Sequence, residues 1–117
     1  MATKPPRLTV VFAADAIGQL HEIWLWNAEH KTPALADRYG DFLKKSIDRL
    51  ARDYSKGRAV STRPDLHYVR IRQTTGGYAH VAVYSIEPNR VIVLHVFHEA
   101  QDWERRLSFN GGEDDHS

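Results

Sequence analysis

Hydrophobic and polar residues follow two different periods along this chain, and the change from one to the other lies between Gly57 and Leu66. The first apolar run, Leu8 to Phe12, contains β-branched and aromatic residues and predicts a short strand. Apolar residues then recur at helical spacing, which predicts a first helix ending near Glu29. Its stripe consists of Ala16, Ile17, Leu20, Ile23, Trp24 and Ala28. Trp26 falls about 180° around the helix from Ile17 and is expected to point away from that stripe.

A second helix is predicted to begin at Thr32 and Pro33, which have the residue types of an N-cap and a first helical position. Its apolar residues are Ala36, Tyr39, Leu43, Ile47 and Leu50, and the pattern ends at Gly57. Since only about three residues join the two helices, residues 16–54 should form an antiparallel helix hairpin.

The second half of the chain alternates with a period of two and predicts three strands, over residues 66–72, 78–86 and 91–97. Turn-forming residues separate these strands at 74–77 and 87–90. Residues 99–107 predict a short helix. The expected fold class is α+β, with a single domain over residues 1–107, a helix hairpin on one face of a mainly antiparallel sheet, and a disordered acidic tail over residues 108–117.

A helix hairpin must cover one face of the sheet, so that face should be apolar on every strand. The residues expected to face the helices are Val69, Ile71, Ala79, Val81, Val83, Ile92, Leu94 and Val96. The opposite face would then present basic, aromatic and histidine side chains, namely Tyr68, Arg70, Arg72, Tyr78, His80, Tyr84 and His95. Such a face fits either a binding surface or an ordinary solvated surface.

Composition narrows the class of protein. The 117 residues are 42% hydrophobic and 26% charged, which excludes a disordered chain and a multidomain enzyme. The absence of cysteine excludes a disulfide scaffold and a thiolate zinc site, and a reducing compartment is expected. Because the apolar run at 8–14 is too short for a signal peptide, we expect a cytoplasmic protein.

Charge is distributed unevenly along the chain. Glu113, Asp114 and Asp115 carry three of the 15 acidic residues, so residues 1–112 hold 16 bases and 12 acids and a net charge of +4. A mildly basic body fits a nucleic acid or an acidic protein partner, although many neutral enzymes have a similar balance.

The sequence holds one group of residues that can do chemistry. Arg70 and Arg72 could hold a phosphate while His80, His95 or His98 moves protons, which is the minimum equipment for metal-free RNA cleavage. The same residues would serve equally well in gripping a protein. The histidines lack the spacing of a metal site, and we expect neither a metal nor another cofactor.

Taken in order, these elements resemble the ParE/RelE superfamily of type II toxin–antitoxin toxins, over about Leu8 to Leu107. Local matches are the helix segment from Leu20 to Trp24 and the helix end at Leu50-Ala51 leading to Gly57-Arg58. The most specific match is the segment from Val91 to Asp102. The ParE branch typically ends in an apolar strand with Arg-Val-Leu-His, followed by an Asp four residues after the His. The His of this motif is His98 here, and the Asp is Asp102. His95 replaces the arginine.

The resemblance implies a small α+β toxin that a cognate antitoxin neutralises. ParE-like members poison DNA gyrase, whereas RelE-like members cut mRNA on the ribosome. The ending from His98 to Asp102 favours DNA gyrase as the target, in which case the protein would not be an enzyme. The arginines and histidines keep the ribonuclease alternative open. A non-toxic homologue that still binds antitoxin is a third alternative.

Two sets of interface residues follow from this resemblance. An antitoxin helix is expected at Leu25, Trp26 and Glu29, because an exposed tryptophan is a typical interface anchor. The alternative is that Trp26 packs against the C-terminal segment. Target binding is expected in that segment, at His98, Asp102, Trp103, Arg105 and Arg106. The alternative there is a short helix that only covers the sheet.

Overall fold

The computed structural model describes residues 5–73 and 78–107. Its elements are β1 (Thr9–Phe12), α1 (Ala14–His30), α2 (Pro33–Asp48), α3 (Leu50–Asp53), a 3-10 turn (Tyr54–Lys56), β2 (Arg58–Val60), β3 (Arg63–Arg72), β4 (Ala79–Ile86), β5 (Arg90–His98) and the short helix α4 over 103–107. The expected α+β class is confirmed. The expected turn at 74–77 and the expected tail at 108–117 lie outside the described residues.

The five strands form one mixed sheet in the order β1-β5-β4-β3-β2. β1 runs parallel to β5, with Thr9 opposite Arg90, and the other neighbours are antiparallel. The sequence did not predict β2. This strand has three residues, of which only Val60 is buried, so it is too short for its alternation to be recognised.

The helix hairpin turns as its sequence predicts, although its first helix begins at Ala14, two residues before the expected start. Thr32 caps α2, because its Oγ1 accepts a hydrogen bond from the backbone N–H of Leu35 at 3.1 Å, and Pro33 occupies the first position. Both helices pack on the sheet face that we call the inner face, where Leu43 and Ile47 are fully buried. Ile17 was expected in the buried stripe of α1 but is 58% exposed. No helix among the described residues is long and apolar enough to cross a membrane.

The predicted register of β4 is wrong. Ala82 and Tyr84 pack with the inner-face core, whereas Val81 and Val83 belong to a second core on the opposite, outer face. All residues from Ala79 to Tyr84 are buried, so burial does not alternate along this strand. A strand that is buried on both faces gives no information about which residues face the helices.

The predicted register of β5 is also wrong, because this strand contains a β-bulge. Tyr84 pairs with Val93 while Val83 pairs with His95, so Leu94 is the extra residue between them. Val93 before the bulge and Val96 after it therefore both contact the inner core. Leu94, which was expected to face the helices, packs with the outer core.

A second hydrophobic core covers much of the outer face of the sheet. Its core consists of Val60, Leu66, Val81, Val83, Phe97 and Leu107, with Tyr68, Leu94 and Trp103 packed against them. Leu107 and Trp103 belong to the C-terminal segment, residues 98–107, which therefore forms the third layer of the fold. A groove on the inner side and a cleft on the outer side contain some of the candidate site residues, among them Trp26, His98 and Arg70.

Candidate functional site

A groove of about 810 Å³ lies between the helix hairpin and the end of the sheet. One wall is the side of α1 that carries Gly18, Ile23 and Trp26, and the other wall is the end of β5 from His95 to His98. Lys31 lies 5.6 Å from the centroid of the Tyr78 ring at one end, in a cation–π contact. The groove thus combines apolar surface with a few polar groups, which is the composition of binding clefts.

Trp26 is exposed on this groove, as the helical spacing predicts. Its side chain is 47% exposed and its ring stacks on His30, with centroids 4.2 Å apart and an interplanar angle of 10°. Stacking on a neighbour of the same helix holds the indole in place while leaving one ring face free. Leu25 and Glu29, the other expected antitoxin contacts, are exposed beside Trp26 but do not line the groove.

Two histidines and two tyrosines lie together where the groove meets the sheet. The Tyr39 hydroxyl is 2.6 Å from Nδ1 of His80, and the His80 and His98 rings are cross-strand neighbours with centroids 5.2 Å apart. Tyr78 adds an edge contact to His98 at 5.3 Å. We assign the Tyr39 hydroxyl as donor, which places the His80 proton on Nε2. These contacts connect α2 with β4 and β5.

Burial shifts the pKa values of the Tyr39–His80 pair in the directions that keep both groups neutral. Desolvation, followed by the proximity of His98, lowers the pKa of His80 to about 4. Desolvation also raises the pKa of Tyr39 to about 12. His80 is therefore an uncharged packing and hydrogen-bonding residue at neutral pH, and it is a poor proton donor to a substrate.

Glutamine side chains occupy the free edge of β5, beyond the point where β1 ends. Gln19 Oε1 accepts a hydrogen bond from the N–H of Val96 at 2.7 Å, and Gln101 Oε1 accepts one from the N–H of His98 at 3.1 Å. Gln19 Nε2 also lies 3.4 Å from Nδ1 of His95, whose pKa is lowered by burial. These contacts satisfy backbone donors that an open strand edge would otherwise expose.

The two arginines of β3 converge on one carboxylate on the outer face. Arg70 bonds Oε2 of Glu99 through both Nε and a terminal nitrogen, and Arg72 bonds Oε1 at 3.1 Å. Glu99 follows β5 directly and is fixed by the hydrogen bond of its N–H to the carbonyl of Ala79, 2.9 Å away. The C-terminal segment thus adds a carboxylate to the face for which the sequence predicted basic, aromatic and histidine side chains.

The residues considered for RNA cleavage are divided between the two faces. Arg70 and Arg72 lie opposite Val81 and Ala79 on the outer face. His80 and His98 lie opposite each other, and His80 bonds Tyr39 of α2 on the inner face. His95 is at the β5 edge, stacked on Phe97 at 5.0 Å. The sheet therefore separates the arginine pair from His80 and His98.

The expected target-binding residues occupy three different environments. Trp103 is half-buried between Tyr68 and Phe97, with ring centroids 4.9 and 6.4 Å away. His98 and Arg106 line the groove. Asp102 and Arg105 are exposed to solvent. The C-terminal segment thus covers the outer core and also presents charged side chains.

The sequence did not single out Gln19, Glu99 or Gln101. Gln19 and Glu99 bond residues that are distant in the sequence, and Gln101 bonds a residue within the turn after β5, so no local sequence pattern identifies them. Tyr39 was assigned to the core by its spacing, and only its hydroxyl indicates that it needs a buried polar partner. Within residues 5–73 and 78–107, no group of three or more His, Asp or Glu side chains is placed to hold a metal ion.

These features define a small α+β domain in which a helix hairpin covers one face of a mixed sheet and a C-terminal segment covers the other. Residues 10–103 match the sequence model of the family described as ParE toxin of type II toxin-antitoxin system, parDE, and the chain belongs to this family. The resemblance drawn from the sequence is confirmed.

A solved structure described as the chromosomal ParDE TA system from P. aeruginosa has the same fold. The match has a TM-score of 0.67 at 12% sequence identity and covers 79% of this chain and 96% of the other. Identity this low establishes the fold alone. No curated protein sequence matches the chain.

Proposed function

We propose that this toxin poisons DNA gyrase and that a cognate antitoxin keeps it inactive by filling the groove beside Trp26. Membership of the ParE toxin family supports the first part. The observation that carries the second part is the tryptophan that remains 47% exposed on the wall of an 810 Å³ groove. Large exposed aromatic residues in concave surfaces are typical anchors of protein interfaces.

The antitoxin segment that this groove suits is an amphipathic helix. Ile23, Trp26 and Leu35 supply apolar contacts along one side. Lys31 and Arg106 supply positive charge while Asp15 and Glu22 supply negative charge, so a helix with charged residues of both signs along its polar edge would complement them. Leu25 and Glu29 lie outside the groove and would contact a part of the antitoxin that passes over the outside of α1.

The target-binding surface that we propose is the C-terminal segment. Asp102 and Arg105 are free to contact a protein, and Arg106 and His98 border the groove. Trp103 would position this surface, since it is packed between two aromatic rings. An antitoxin in the groove would cover His98 and Arg106, so neutralisation and target binding would compete for part of one surface.

The separation of the arginines from His80 and His98 argues against the ribonuclease alternative. Acid–base catalysis at a phosphate needs the proton-transferring group within about 3 Å of the reacting atoms. Arg70 and Arg72 are on the outer face, and His80 is buried against α2 with a depressed pKa.

Two assays of the purified toxin, run side by side, test the proposal. One measures DNA supercoiling by gyrase with trapping of the cleavage complex, and the other measures ribosome-dependent mRNA cleavage. We expect activity in the first and none in the second. The double variant Arg105→Ala, Arg106→Ala should weaken gyrase poisoning, while a matched control, Arg38→Ala with Arg49→Ala, removes two exposed arginines of the α2 region and should not. Cleaved mRNA without gyrase poisoning contradicts the proposal, and inactivity in both assays indicates a non-toxic homologue.

The antitoxin site is tested by measuring the affinity of the cognate antitoxin for toxin variants. Trp26→Ala should weaken binding at least tenfold, because it removes a large apolar anchor. Ile17→Ala removes an apolar side chain of α1 that is 58% exposed but lies outside the groove, and it should leave affinity unchanged. A change of less than threefold for Trp26→Ala, about 0.7 kcal/mol, would exclude the anchor role.

A further inference from the structure

The groove beside Trp26 carries opposite charges at the two ends of its α1 wall. Asp15 lies in the first turn of α1 and Lys31 follows its last residue, and both line the groove. They are 16 positions apart in the sequence, which corresponds to about 24 Å along a helix axis. Glu22 lines the same wall about two turns after Asp15. The acidic groups of this wall therefore precede its basic group.

The acidic end is next to the free edge of β5. Gln19, one turn after Asp15, lies 3.4 Å from Nδ1 of His95. Burial lowers the pKa of His95 and the negative charge of Asp15 opposes that shift, so Asp15 is close to this ring. Asp15 and Glu22 are exposed, and in the part of the chain that the structure describes neither forms an ion pair. Their charges are thus available to a partner.

The basic end offers an ammonium group and an imidazole N–H. Lys31 Nζ lies 5.6 Å from the centroid of the Tyr78 ring, and this ring contacts His98 edge-on at 5.3 Å. The backbone N–H of Ala100 donates to Nδ1 of His98 at 3.0 Å. Because a backbone N–H can only donate, the proton of the neutral His98 ring is on Nε2. Lys31 has no ion-pair partner among the described residues, so this end of the groove suits a carboxylate.

We propose that opposite charges at the two ends of the groove select one direction of the bound antitoxin helix: an acidic side chain binds at Lys31 and His98, and a basic side chain binds at Asp15. This inference rests on the proposed filling of the groove by an antitoxin helix. The apolar contacts of Ile23 and Trp26 would accept a helix in either direction. The charges would not, because a reversed helix brings like charges together.

The charge order is tested by exchanging the two end residues. Asp15→Lys with Lys31→Glu keeps the net charge of the toxin and reverses the order, so its affinity for the cognate antitoxin should fall at least tenfold. The matched control is Asp41→Lys with Lys44→Glu, which exchanges two exposed residues of α2 outside the groove and should leave affinity unchanged. Equal losses in the two exchanges would overturn the proposal.

Neutral variants keep the proposal falsifiable if the exchange prevents α1 from folding, which circular dichroism would reveal. Asp15→Asn and Lys31→Met each remove one charge, so each should weaken binding at least threefold at low salt and make the affinity less sensitive to salt. Asp41→Asn and Lys44→Met are the controls. If the groove variants bind as tightly as these controls, the end charges do not contribute and the proposal is wrong.

Carbodiimide cross-linking of the toxin–antitoxin complex tests the contact at the basic end directly. The reagent joins an amine to an adjacent carboxylate as an amide, so mass spectrometry should find Lys31 linked to an Asp or Glu of the antitoxin. Lys31→Arg lacks the amine and should lose this link. Lys56 pairs with Asp53 at 3.3 Å and provides an internal positive control. A link between Lys56 and Asp53 without any link from Lys31 would refute the contact.

Trp26→Ala separates the failure of this inference from the failure of the proposed antitoxin site. If Trp26→Ala weakens binding but the two exchanges have equal effects, the antitoxin occupies the groove and the charge order is overturned. If Trp26→Ala leaves affinity unchanged, the groove is not the antitoxin site and both proposals are overturned.

Discussion

The hydroxyl of Tyr39 on α2 lies 2.6 Å from Nδ1 of His80 on β4, and this hydrogen bond joins the helix hairpin to the sheet at the inner end of the groove. His80 is 5% exposed and Tyr39 is partly buried. The bond also explains why the inner face tolerates a histidine among valines and alanines.

Tyr39→Phe should lower the free energy of unfolding by about 1–3 kcal/mol, because it leaves a buried imidazole nitrogen without its partner. Urea denaturation of the parent and the variant measures the difference. Tyr54→Phe is the control, since the Tyr54 hydroxyl donates to the carbonyl of Pro6 at an exposed site. A larger loss for Tyr54→Phe than for Tyr39→Phe would contradict this account.

Stability should decrease as the pH falls from about 6.5 towards about 4. The folded protein holds His80 neutral because its pKa is lowered to about 4, whereas the unfolded chain has an ordinary histidine pKa of 6.5. Between these values the unfolded chain binds a proton that the folded chain does not, so the free energy of unfolding decreases as the pH decreases. The loss from His80 should be on the order of 2–3 kcal/mol, and His95, whose pKa is also lowered, adds to it with the same sign.

Urea unfolding at a series of pH values measures this dependence. His80→Gln should flatten the slope between pH 6.5 and 4, because the shifted group is gone. His21→Gln, at an exposed position on α1, should keep the parent slope. An unchanged slope in His80→Gln would show that another group carries the effect.

Alanine substitutions of two glycines should have opposite effects. A Cβ at Gly57 would overlap the hydroxyl of Tyr84, which donates to the carbonyl of Tyr54 at 2.7 Å, so Gly57→Ala should cost about 1–3 kcal/mol. A Cβ at Gly18 would meet no other atom within 4 Å, and Gly18→Ala should stabilise α1 by about 0.5–1 kcal/mol. Thermal denaturation of both variants checks the signs, and stabilisation by Gly57→Ala would refute the close approach.

Leu107→Ala should destabilise the fold by about 2–5 kcal/mol, because Leu107 is 5% exposed in the outer-face core. Leu35→Ala, at a side chain 42% exposed, should cost much less. Chemical denaturation of the two variants gives the comparison. The same packing means that a truncation after Gln101 would remove Trp103 and Leu107 and uncover Phe97, so loss of toxicity in such a truncation would report unfolding. A small effect of Leu107→Ala would show that the C-terminal segment is dispensable for the core.

Local patterns were sufficient where one face of an element is buried and the other is not. Helix α2 is such a case, because Thr32 and Pro33 mark its start and Leu43 and Ile47 mark its buried stripe, whereas in α1 the same reasoning wrongly buried Ile17. Trp26 was correctly expected to be exposed for the same reason. Alternation failed in β4, since a third layer buries its outer face as well, and it failed in β5 because the bulge at Leu94 exchanges the two faces within one strand.

The candidate site was less predictable than the fold because its contacts join distant residues. Glu99 reaches Arg70 and Arg72 only through the turn that follows β5, and a set of seemingly uncompensated arginines became an ion-paired cluster. The register error placed His80 on the outer face, whereas it bonds Tyr39 on the inner face. The sequence was enough to select these side chains as candidates, whereas their contact partners could be identified only from the pairing of the strands.

The parallel pairing of β1 with β5 affects the order in which a newly made chain can assemble. Thr9 pairs with Arg90, so β1 can form its hydrogen bonds to β5 only after the 80 residues between these two positions have been synthesised. The β5 wall of the groove and Arg106 come later still. A polypeptide released early would therefore lack both the wall of the groove that β5 forms and the outer layer that the C-terminal segment forms.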